Sequence, residues 1–461
     1  MLESETKSLK RAGEANPELY SAFTRAEKFC IVALVSFAAW FSTLSSFIYY
    51  PALQPFSEDL SVSVDDINLT ITTYMSVATV APTLCIYNII TLAVCIAANI
   101  ATAASRSFHA LLGLRVLQAL AISGAFSIAY GVITDIASSA ARGSFASAVS
   151  FAITIAPSIG PILGGCLTYA RNWTWIFWFL ATAAGTCLIL MASFLPEITR
   201  SIVGNGSIAP PKFLRLPFGS LMRYWRDDDS FIARRRRVPN PFKSLLILTY
   251  KDNAIVIVAC GLLYAVYTSL NASLSVLCIE IYDLSQWQAD LIYLPFSLGG
   301  TVSTFFSTPL LDDAYRAARE KRGLDTDKAT GDDLDNFPIE KARLSVMWIP
   351  MILTAASVGK VCGLTSRFSV MQLDFSIYNT LLVDKNYRNL SAAQASSNIV
   401  RCTFGAIIVA FLQDCIKSLG IGGTFTLMGG LCVVATLLFV IDFTKGTTWR
   451  QNRRTSRLAK L

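Results

Sequence analysis

Charged side chains are scarce in this sequence of 461 residues. Asp, Glu, Lys and Arg together make up 15% of it, whereas hydrophobic residues make up 53%. An average soluble domain carries about 25% charged residues. This deficit excludes an ordinary cytosolic enzyme, and the hydrophobic content excludes global disorder. The mean hydropathy of +0.51 favours a chain whose solvent is lipid.

Histidine and paired cysteines are also scarce. The sequence has one histidine, His109, and its 11 cysteines form no Cys-x-x-Cys pair. Membrane metalloenzymes with histidine boxes need several imidazoles, which one histidine cannot supply. Most Ser-His or Cys-His hydrolases need an imidazole beside their nucleophile, whereas His109 is interpreted as a helix-end residue. Most of the cysteines lie inside apolar runs and are interpreted as small buried hydrophobic residues. We therefore expect no enzyme, no catalytic residues, no metal site and no other cofactor.

Apolar runs are what the sequence has in abundance, and about 20 helical residues cross a hydrocarbon core of ~30 Å. Runs of that length lie near 30–50, 108–132, 145–168, 174–195, 247–270, 288–310, 344–363, 394–415 and 421–442. The nearly uncharged stretch Ile67–Ala104 allows two compressed helices, and Val370–Val383 allows one short helix. The pattern predicts an all-α polytopic membrane protein of about 12 transmembrane helices, some of them truncated.

Basic residues are concentrated in one long loop and near the C-terminus. The loop 196–243 carries the run Arg234–Arg237, whereas residues 51–66 carry acidic but no basic side chains. Because short cytoplasmic loops are enriched in Lys and Arg, the basic loop is predicted to be cytosolic. The expected order is a cytosolic N-terminal tail at 1–29, a six-helix half at 30–195, a basic cytosolic linker at 196–243, a second six-helix half at 244–442 and a basic cytosolic C-terminal tail at 443–461.

The net charge of +8 is divided into short pieces between apolar runs. Nucleic acid is therefore not an expected partner, and the four-arginine run is better explained by anionic lipid beside the membrane. Two six-helix halves joined by a basic linker are typical of a two-repeat secondary transporter. We expect the lipid bilayer and a small-molecule substrate as partners.

The segment Ala156–Gly165 combines prolines and glycines inside an apolar helix. Gly160 and Gly164 are four residues apart, so they face one way and permit a close helix contact. Pro157 and Pro161 each remove a backbone donor and allow a bend. The alternative is a plain helix-packing face, but this density of prolines and glycines exceeds what packing alone usually demands.

Arg115 lies inside an apolar run, and Gln118 follows it by one helical turn. An ionised guanidinium in the bilayer costs several kcal/mol, so such a residue is expected to face the bundle interior or a water-filled cavity and to be functional. The alternative is a side chain that extends to the nearer membrane interface, because Arg115 is close to the start of its helix.

These residues resemble the Major Facilitator Superfamily and, within it, the fungal twelve-helix drug:proton antiporters of the quinidine- and polyamine-resistance type. Leu114–Gln118 is similar to the family's fourth-helix motif, and Ala156–Gly165 is similar to its fifth-helix antiporter motif, which ends Gly-Pro-x-x-Gly-Gly. Further segments resemble the family at Pro51–Pro55, Trp173–Trp178, Phe337–Leu344 and Asn398–Cys402. The resemblance covers about residues 28–450.

The resemblance implies a major facilitator fold of two six-helix bundles that rock about a central cavity. A proton gradient would drive export of drugs, polyamines, organic acids or secondary metabolites, with import as the alternative because a fold does not set direction. It implies proton coupling at Arg115 and Gln118, and packing of the two halves by Pro157, Gly160, Pro161, Gly164 and Gly165. It also implies a monomer in the plasma membrane, with the vacuolar or another internal membrane as the alternative.

The sequence departs from the family in two places. Relatives have a charged, Gly-rich loop between helices two and three, whereas no charged residue occurs here between Asp66 and Arg106. The second shortening lies around Val361–Asp374. Either the transporter has lost these elements or the recorded sequence omits coding segments. The alternative function is accordingly a transport-inactive or sensor-like descendant of the same family.

Further candidate residues follow from their expected positions in helices. Aromatic and small polar side chains suit a bulky, partly apolar or cationic ligand, although Tyr and Trp are equally expected in interfacial belts. The substrate candidates are Trp40, Ser45, Tyr74, Tyr264, Tyr267, Asn271 and Asn379. A buried carboxyl group could carry the proton, and the candidates are Asp290 and Asp374. Cytosolic gating is expected of Asp312, Arg316, Glu340 and Arg343.

Overall fold

The computed structural model contains helices and no strand within its described residues, which are 21, 23–84, 88–137, 139–198, 203, 242–284, 288, 291–323, 337–358, 364–386 and 390–458. An α-helix satisfies the backbone donors and acceptors of its interior within its own segment, as the bilayer interior requires. The expectation of an all-α chain is confirmed.

The first half of the chain begins with a well-capped helix. The hydroxyl of Thr24 accepts a hydrogen bond from the backbone of Glu27, whose carboxylate accepts one from the backbone of Thr24 at 2.7 Å. The helices are α1 (Arg25–Phe47), α2 (Leu53–Leu60), α3 (Val64–Leu84), α4 (Asn88–Ala104), α5 (Phe108–Ile122), α6 (Ala125–Ile136), α7 (Ser139–Ala170) and α8 (Thr174–Phe194), with a 3₁₀ turn at Tyr50–Ala52.

The second half contains several longer helices. They are α9 (Phe242–Leu248), α10 (Lys251–Tyr282), α11 (Tyr293–Glu320), α12 (Ile339–Leu344), α13 (Trp348–Val358), α14 (Leu364–Lys385), α15 (Leu390–Ala410) and α16 (Leu412–Leu458). Within α16 the helical conformation is interrupted at Gly420, whose φ of 70° lies in the left-handed region that favours glycine.

Six helical stretches within the described residues are long and apolar enough to span a membrane: Arg25–Leu60, Phe108–Ile136, Phe145–Ala170, Thr174–Phe194, Lys251–Ile279 and Leu412–Arg453. Ile90–Ala104 is a shorter apolar helix. The helix α4 that contains it has 17 residues, which corresponds to about 25 Å at 1.5 Å per residue. Of the two compressed helices expected in Ile67–Ala104, α4 is short as expected, whereas α3 has 21 residues and is not compressed. Residues 85–87 and 359–363 in the two shortened regions lie outside the described residues.

Several helices differ from their apolar runs. The run at 108–132 is divided by a turn at Ser123–Gly124, and the short run at 370–383 lies within the 22-residue helix α14. The helix α11 continues ten residues past 310 to Glu320, and α16 continues through the expected C-terminal tail to Leu458. Backbone hydrogen bonding continues into water where hydropathy ends, so apolar runs underestimate helix length.

The two halves meet along a small set of helices. Helix α3 packs against α15, α6 also contacts α15, and α7 packs against both α11 and α14. Within the first half, α1 packs against α7, and α4 packs against α8. The interface between the halves is therefore made of helices that each also belong to the core of their own half.

The glycines of the Ala156–Gly165 segment pack against the end of α1. A Cβ on Gly160 would lie 3.1 Å from the backbone nitrogen of Ile48 and 3.1 Å from the Cβ of Phe47. A Cβ on Gly164 would overlap the carbonyl oxygen of Ile48. Because α1 and α7 belong to the same half, these two glycines make a contact inside the half. The contact between halves expected of them is made by α7 with α11 and α14 instead.

We predict that Gly164→Ala destabilises the protein by about 3 kcal/mol, because a methyl group has no space against the Ile48 carbonyl. Gly185→Ala is the matched control, since a Cβ on this helical glycine meets nothing within 4 Å and alanine favours helix. Thermal unfolding of the detergent-solubilised variants measures both effects. Equal melting temperatures for the two variants would contradict the close contact.

Candidate functional site

A cavity of about 60 Å³ lies between the two halves, with room for a few water molecules. Helices α1 and α7 of the first half and α10, α14 and α15 of the second half contribute its walls. The lining residues are Thr43, Phe47, Ile153, Thr154, Pro157, Val256, Ile257, Cys260, Tyr264, Tyr267, Phe375, Tyr378, Asn379, Leu382, Ser397 and Arg401. A cavity lined by both halves is where rocking of one half against the other changes access.

Aromatic rings from three helices form one wall of this cavity. The ring of Phe47 lies 5.6 Å from that of Tyr267 and 6.4 Å from that of Tyr264. Phe375 approaches the same two tyrosines at 6.1 Å and 5.5 Å, edge to face. Such arrangements are favourable for aromatic pairs. The predicted candidates Tyr264 and Tyr267 therefore lie on the cavity, together with Asn379.

Arg401 is the charged residue among the described residues that line the cavity. Its guanidinium lies 4.8 Å from the centre of the Tyr264 ring, and its Nε is buried with no hydrogen-bond partner among the described residues. No carboxylate pairs with it in that part of the chain. Lining positions near it are Ser397, one turn earlier on α15, and Cys260 and Tyr264 on α10. The cavity therefore contains a positive charge and hydroxyl groups.

Arg115 lies in a second site, inside the first half. The side chain is 2% exposed, and its guanidinium lies 3.9 Å from the ring centre of Tyr49, 5.2 Å from Tyr74 and 5.7 Å from Phe177. Cation–π contacts of this kind strengthen when they are desolvated. Among the described residues no carboxylate pairs with Arg115.

Gln118 connects Arg115 to two further helices. The Arg115 Nη1 donates to the Gln118 Oε1 at 2.7 Å. The Gln118 amide in turn donates to Ser45 Oγ at 3.0 Å and to Asn99 Oδ1 at 2.9 Å. Ser45 and Tyr74, expected to touch substrate, therefore belong to this buried site and do not line the cavity.

Asp374 is fully buried on α14. Its Oδ2 accepts a hydrogen bond from Thr354 at 2.9 Å, and its Oδ1 has no partner among the described residues. A buried carboxylate with one hydroxyl partner is a costly arrangement. The next residue, Phe375, and Tyr378 one turn later line the cavity. Asp374 thus lies immediately behind the cavity wall.

Hydrogen bonds cross between the halves beside the cavity. The Asn379 amide donates to Ser150 Oγ at 2.6 Å and to Tyr130 at 3.3 Å, and it accepts from Gln394 at 2.7 Å. The Asn398 amide donates to the carbonyl of Ala78 at 2.9 Å. In the first turns of α16, Lys417 pairs with Asp65 at 2.6 Å in an exposed position. The cavity is bridged on more than one side in this conformation.

A network of buried charges joins the ends of several helices in the second half. Lys385 Nζ lies 2.7 Å from Asp442 and 3.9 Å from Glu340. Arg450 pairs with Glu340 at 2.9 Å, and Arg453 pairs with Asp252 at 3.1 Å. The network ties α10, α12, α14 and α16 together. Buried pairs of this kind are weak evidence of stability, but breaking one leaves an uncompensated charge.

The remaining predicted residues have varied surroundings. Arg343 pairs with Asp384 at 2.8 Å and donates to the Leu311 carbonyl at 3.0 Å, whereas Arg316 is exposed. Asp290 and the side chain of Asp312 lie outside the described residues.

Trp40 stacks on Phe37 with ring centres 5.7 Å apart. Asn271 donates to the Tyr267 carbonyl at 2.8 Å. Neither Trp40 nor Asn271 lines the cavity.

Two sets of residues were missed at the level of sequence. Arg401 occurs in an otherwise uncharged run, so the rule that selected Arg115 would have selected it too. Lys385 and Asp442 are 57 residues apart, and no sequence pattern signals that they pair. Arg401 is therefore identifiable from the sequence, whereas the pairing of Lys385 with Asp442 depends on tertiary contacts.

Comparison with known proteins places this chain among membrane transporters. Residues 35–323 match the Major Facilitator Superfamily. The chain is 30% identical to the MFS-type transporter phiD of a fungal species, over 94% of this chain and 70% of that protein. It is 28% identical to the multidrug transporter AQR1 of Candida glabrata, over 95% of this chain and 79% of that protein.

A solved structure is similar in fold. It is that of the human organic anion transporter MFSD10 (TETRAN), with a TM-score of 0.55 and 14% sequence identity. The match covers 90% of this chain and 100% of that one. At this identity the likeness shows the fold alone.

We predict that Lys385→Met destabilises the protein by about 3–5 kcal/mol, because Asp442 is left buried without its cation, whereas Glu340 keeps Arg450. Lys417→Met is the matched control, since it removes an ion pair whose lysine is 65% exposed and is expected to change stability little. Thermal unfolding in detergent compares the two. A melting temperature for Lys385→Met equal to that of the control would contradict the network's role.

Proposed function

This chain belongs to the Major Facilitator Superfamily of membrane transporters, which are not enzymes, and we propose that it exports small organic molecules in exchange for protons. The observation that carries the proposal is the cavity between the halves, to which α1, α7, α10, α14 and α15 all contribute. The similarity to a multidrug transporter supports export of drug-like or related compounds. Drugs, polyamines, organic acids and secondary metabolites are the candidate substrates.

Asp374 is the proposed proton carrier. A carboxyl group can gain and lose a proton without moving its backbone, and this one lies behind the cavity wall formed by Phe375 and Tyr378. Its unpartnered Oδ1 supports the proposal, because protonation would remove the cost of an incompletely paired buried charge. Arg115 and Gln118 are proposed to couple the proton to movement of the first half.

The proposal also includes the orientation of the protein in the membrane, its oligomeric state and its location. The N-terminal tail, residues 196–243 and the C-terminal tail would face the cytosol, because their basic residues are typical of cytoplasmic loops. The interhelix contacts of Glu340 and Arg343 would then lie on the cytosolic side and support gating. We propose a monomer in the plasma membrane, with the vacuolar membrane as the alternative.

We predict that Asp374→Asn abolishes gradient-driven transport and retains substrate exchange. Inside-out vesicles with an acidic lumen should accumulate a member of a panel of cationic drugs, polyamines and organic acids when they contain the wild type. The Asn variant should accumulate no more than wild-type vesicles treated with a protonophore, because an amide cannot carry the proton. Exchange of labelled for unlabelled substrate at equal pH needs no net proton movement.

Asp313→Asn is the matched control, since it makes the same change at an exposed position of α11. It should transport at the wild-type rate. Gradient-driven accumulation by Asp374→Asn at the wild-type level would remove this carboxyl from proton coupling. Loss of exchange as well as accumulation would assign Asp374 a structural role.

We predict that Arg115→Ala abolishes transport while the protein still reaches the membrane, and that Arg115→Lys transports more slowly. Lysine keeps the charge but lacks the planar fork that stacks on Tyr49 and donates to Gln118. The measurement is substrate accumulation in the same vesicles, normalised to the amount of protein in the membrane. Wild-type rates in the Ala variant would exclude Arg115 from the mechanism.

The alternative function is a transport-inactive or sensor-like member of the family. It rests on the uncharged sequence between Asp66 and Arg106, where relatives are expected to have a charged loop. The vesicle experiment separates the two functions. A folded wild-type protein that moves no member of the panel under a proton gradient would favour the alternative.

A further inference from the structure

The cavity that is proposed to transport substrate contains a cation that pairs with no carboxylate among the described residues. Arg401 lines it, and the side chains that line it with Arg401 are hydroxyl, thiol, amide, aromatic and aliphatic groups. No aspartate or glutamate lines the cavity within the described part of the chain. Positive charge in a cavity of low dielectric raises the local concentration of anions and opposes cations.

The position of the Arg401 side chain leaves its charge available to a ligand. The guanidinium lies 4.8 Å from the Tyr264 ring, and its Nε is buried with no hydrogen-bond partner among the described residues. A buried donor without a partner is costly, so a ligand that accepts from it gains more than the same contact would give in water. Carboxylates match the planar donor fork of arginine.

The contrast between the partly buried Arg401 and three fully buried cations strengthens this argument. Lys385 is neutralised by Asp442 at 2.7 Å, and Arg450 is neutralised by Glu340 at 2.9 Å. Arg115 is enclosed by aromatic rings and paired with Gln118 inside one half. Arg401 differs from all three in its position on the cavity between the halves, where among the described residues it has one aromatic contact, with Tyr264, and no carboxylate partner.

The rest of the cavity indicates what the anion would carry. The rings of Phe47, Tyr267 and Phe375 form an aromatic wall beside Arg401. They suit a flat, apolar ring on the ligand. Thr154 and Ser397 provide hydroxyl groups at the same cavity. The lining therefore combines one anion-binding side chain with a surface for an aromatic ring.

We propose that the substrate class is an aromatic organic anion, with its carboxylate on Arg401 and its ring against Phe47, Tyr267 and Phe375. This inference rests on the proposed function, because it takes the cavity to be the transport site. It replaces the cationic ligand that the aromatic residues alone had indicated. Arg401 already contacts the ring of Tyr264, and its positive charge would oppose a cation in the same cavity.

The test compares three ligands that share one ring and differ in charge: cinnamate, cinnamamide and cinnamylamine. Equilibrium dialysis measures their binding to the wild-type protein in lipid nanodiscs, with empty nanodiscs as the reference for partition into lipid. Cinnamate is expected to bind at least about tenfold more tightly than cinnamamide, and cinnamylamine most weakly. Because no gradient is applied, a chain that fails to transport protons can still satisfy this test.

Two variants assign the preference to Arg401. Arg401→Gln is expected to bind cinnamate and cinnamamide equally, whereas Arg401→Lys keeps part of the preference. Arg171→Gln removes the same charge from an exposed position at the end of α7 and should match the wild type. The proposal is overturned if wild-type protein binds none of the three, if it binds the amide or the amine as tightly as cinnamate, or if Arg401→Gln retains the wild-type preference.

Discussion

Removing a charged side chain from water costs several kcal/mol unless an opposite charge or hydrogen bonds replace the lost hydration. The buried ions of this protein meet that constraint in different ways. Lys385 and Arg450 pair with carboxylates within one half, and Arg115 is held by aromatic rings and an amide. The Nε of Arg115, the Nε of the partly buried Arg401 and the Oδ1 of Asp374 have no hydrogen-bond partner among the described residues. Of these groups, Arg401 lines the cavity between the halves and Asp374 lies directly behind its wall. They are therefore the groups for which a ligand or a proton has most to contribute.

The close contact between α1 and α7 gives the first half a rigid cavity wall. Gly164 allows the backbone of α7 to approach the Ile48 carbonyl so closely that no side chain fits between them. Other positions of the same helix, Thr154 and Pro157, line the cavity together with Thr43 of α1. The two helices must therefore move as one unit, because separating them would remove the packing on which this contact depends.

Composition and apolar runs were enough to predict an all-helical membrane protein, since lipid demands long uncharged helices. The family was indicated by the resemblance of motifs such as Leu114–Gln118 and Ala156–Gly165. They were less informative about helix ends, as the extension of α14 from a 14-residue run to 22 residues shows. A small-residue face predicts close packing but does not name its partner, so Gly160 and Gly164 were expected between the halves and lie within one. Arg401, like Arg115, is a charged residue inside an apolar run, so the sequence could identify it as functional. The pairing of Lys385 with Asp442 could be seen only in the folded structure.

Helix α14 carries four of the features on which the proposed transport depends. Asp374 accepts a hydrogen bond from Thr354 of α13, and Phe375 and Tyr378 line the cavity. Asn379 donates hydrogen bonds to Ser150 and Tyr130 in the other half. Lys385 anchors the end of the helix in the charge network. The proposed proton carrier and the bridge between the halves are thus five residues apart on one rigid element. A change in the hydrogen bonding of Asp374 that shifted or rotated α14 would strain the Asn379 bonds directly, because a helix transmits such a displacement along its axis. Protonation of Asp374, the cavity wall and the Asn379 bridge between the halves would then be coupled without a longer pathway through the protein.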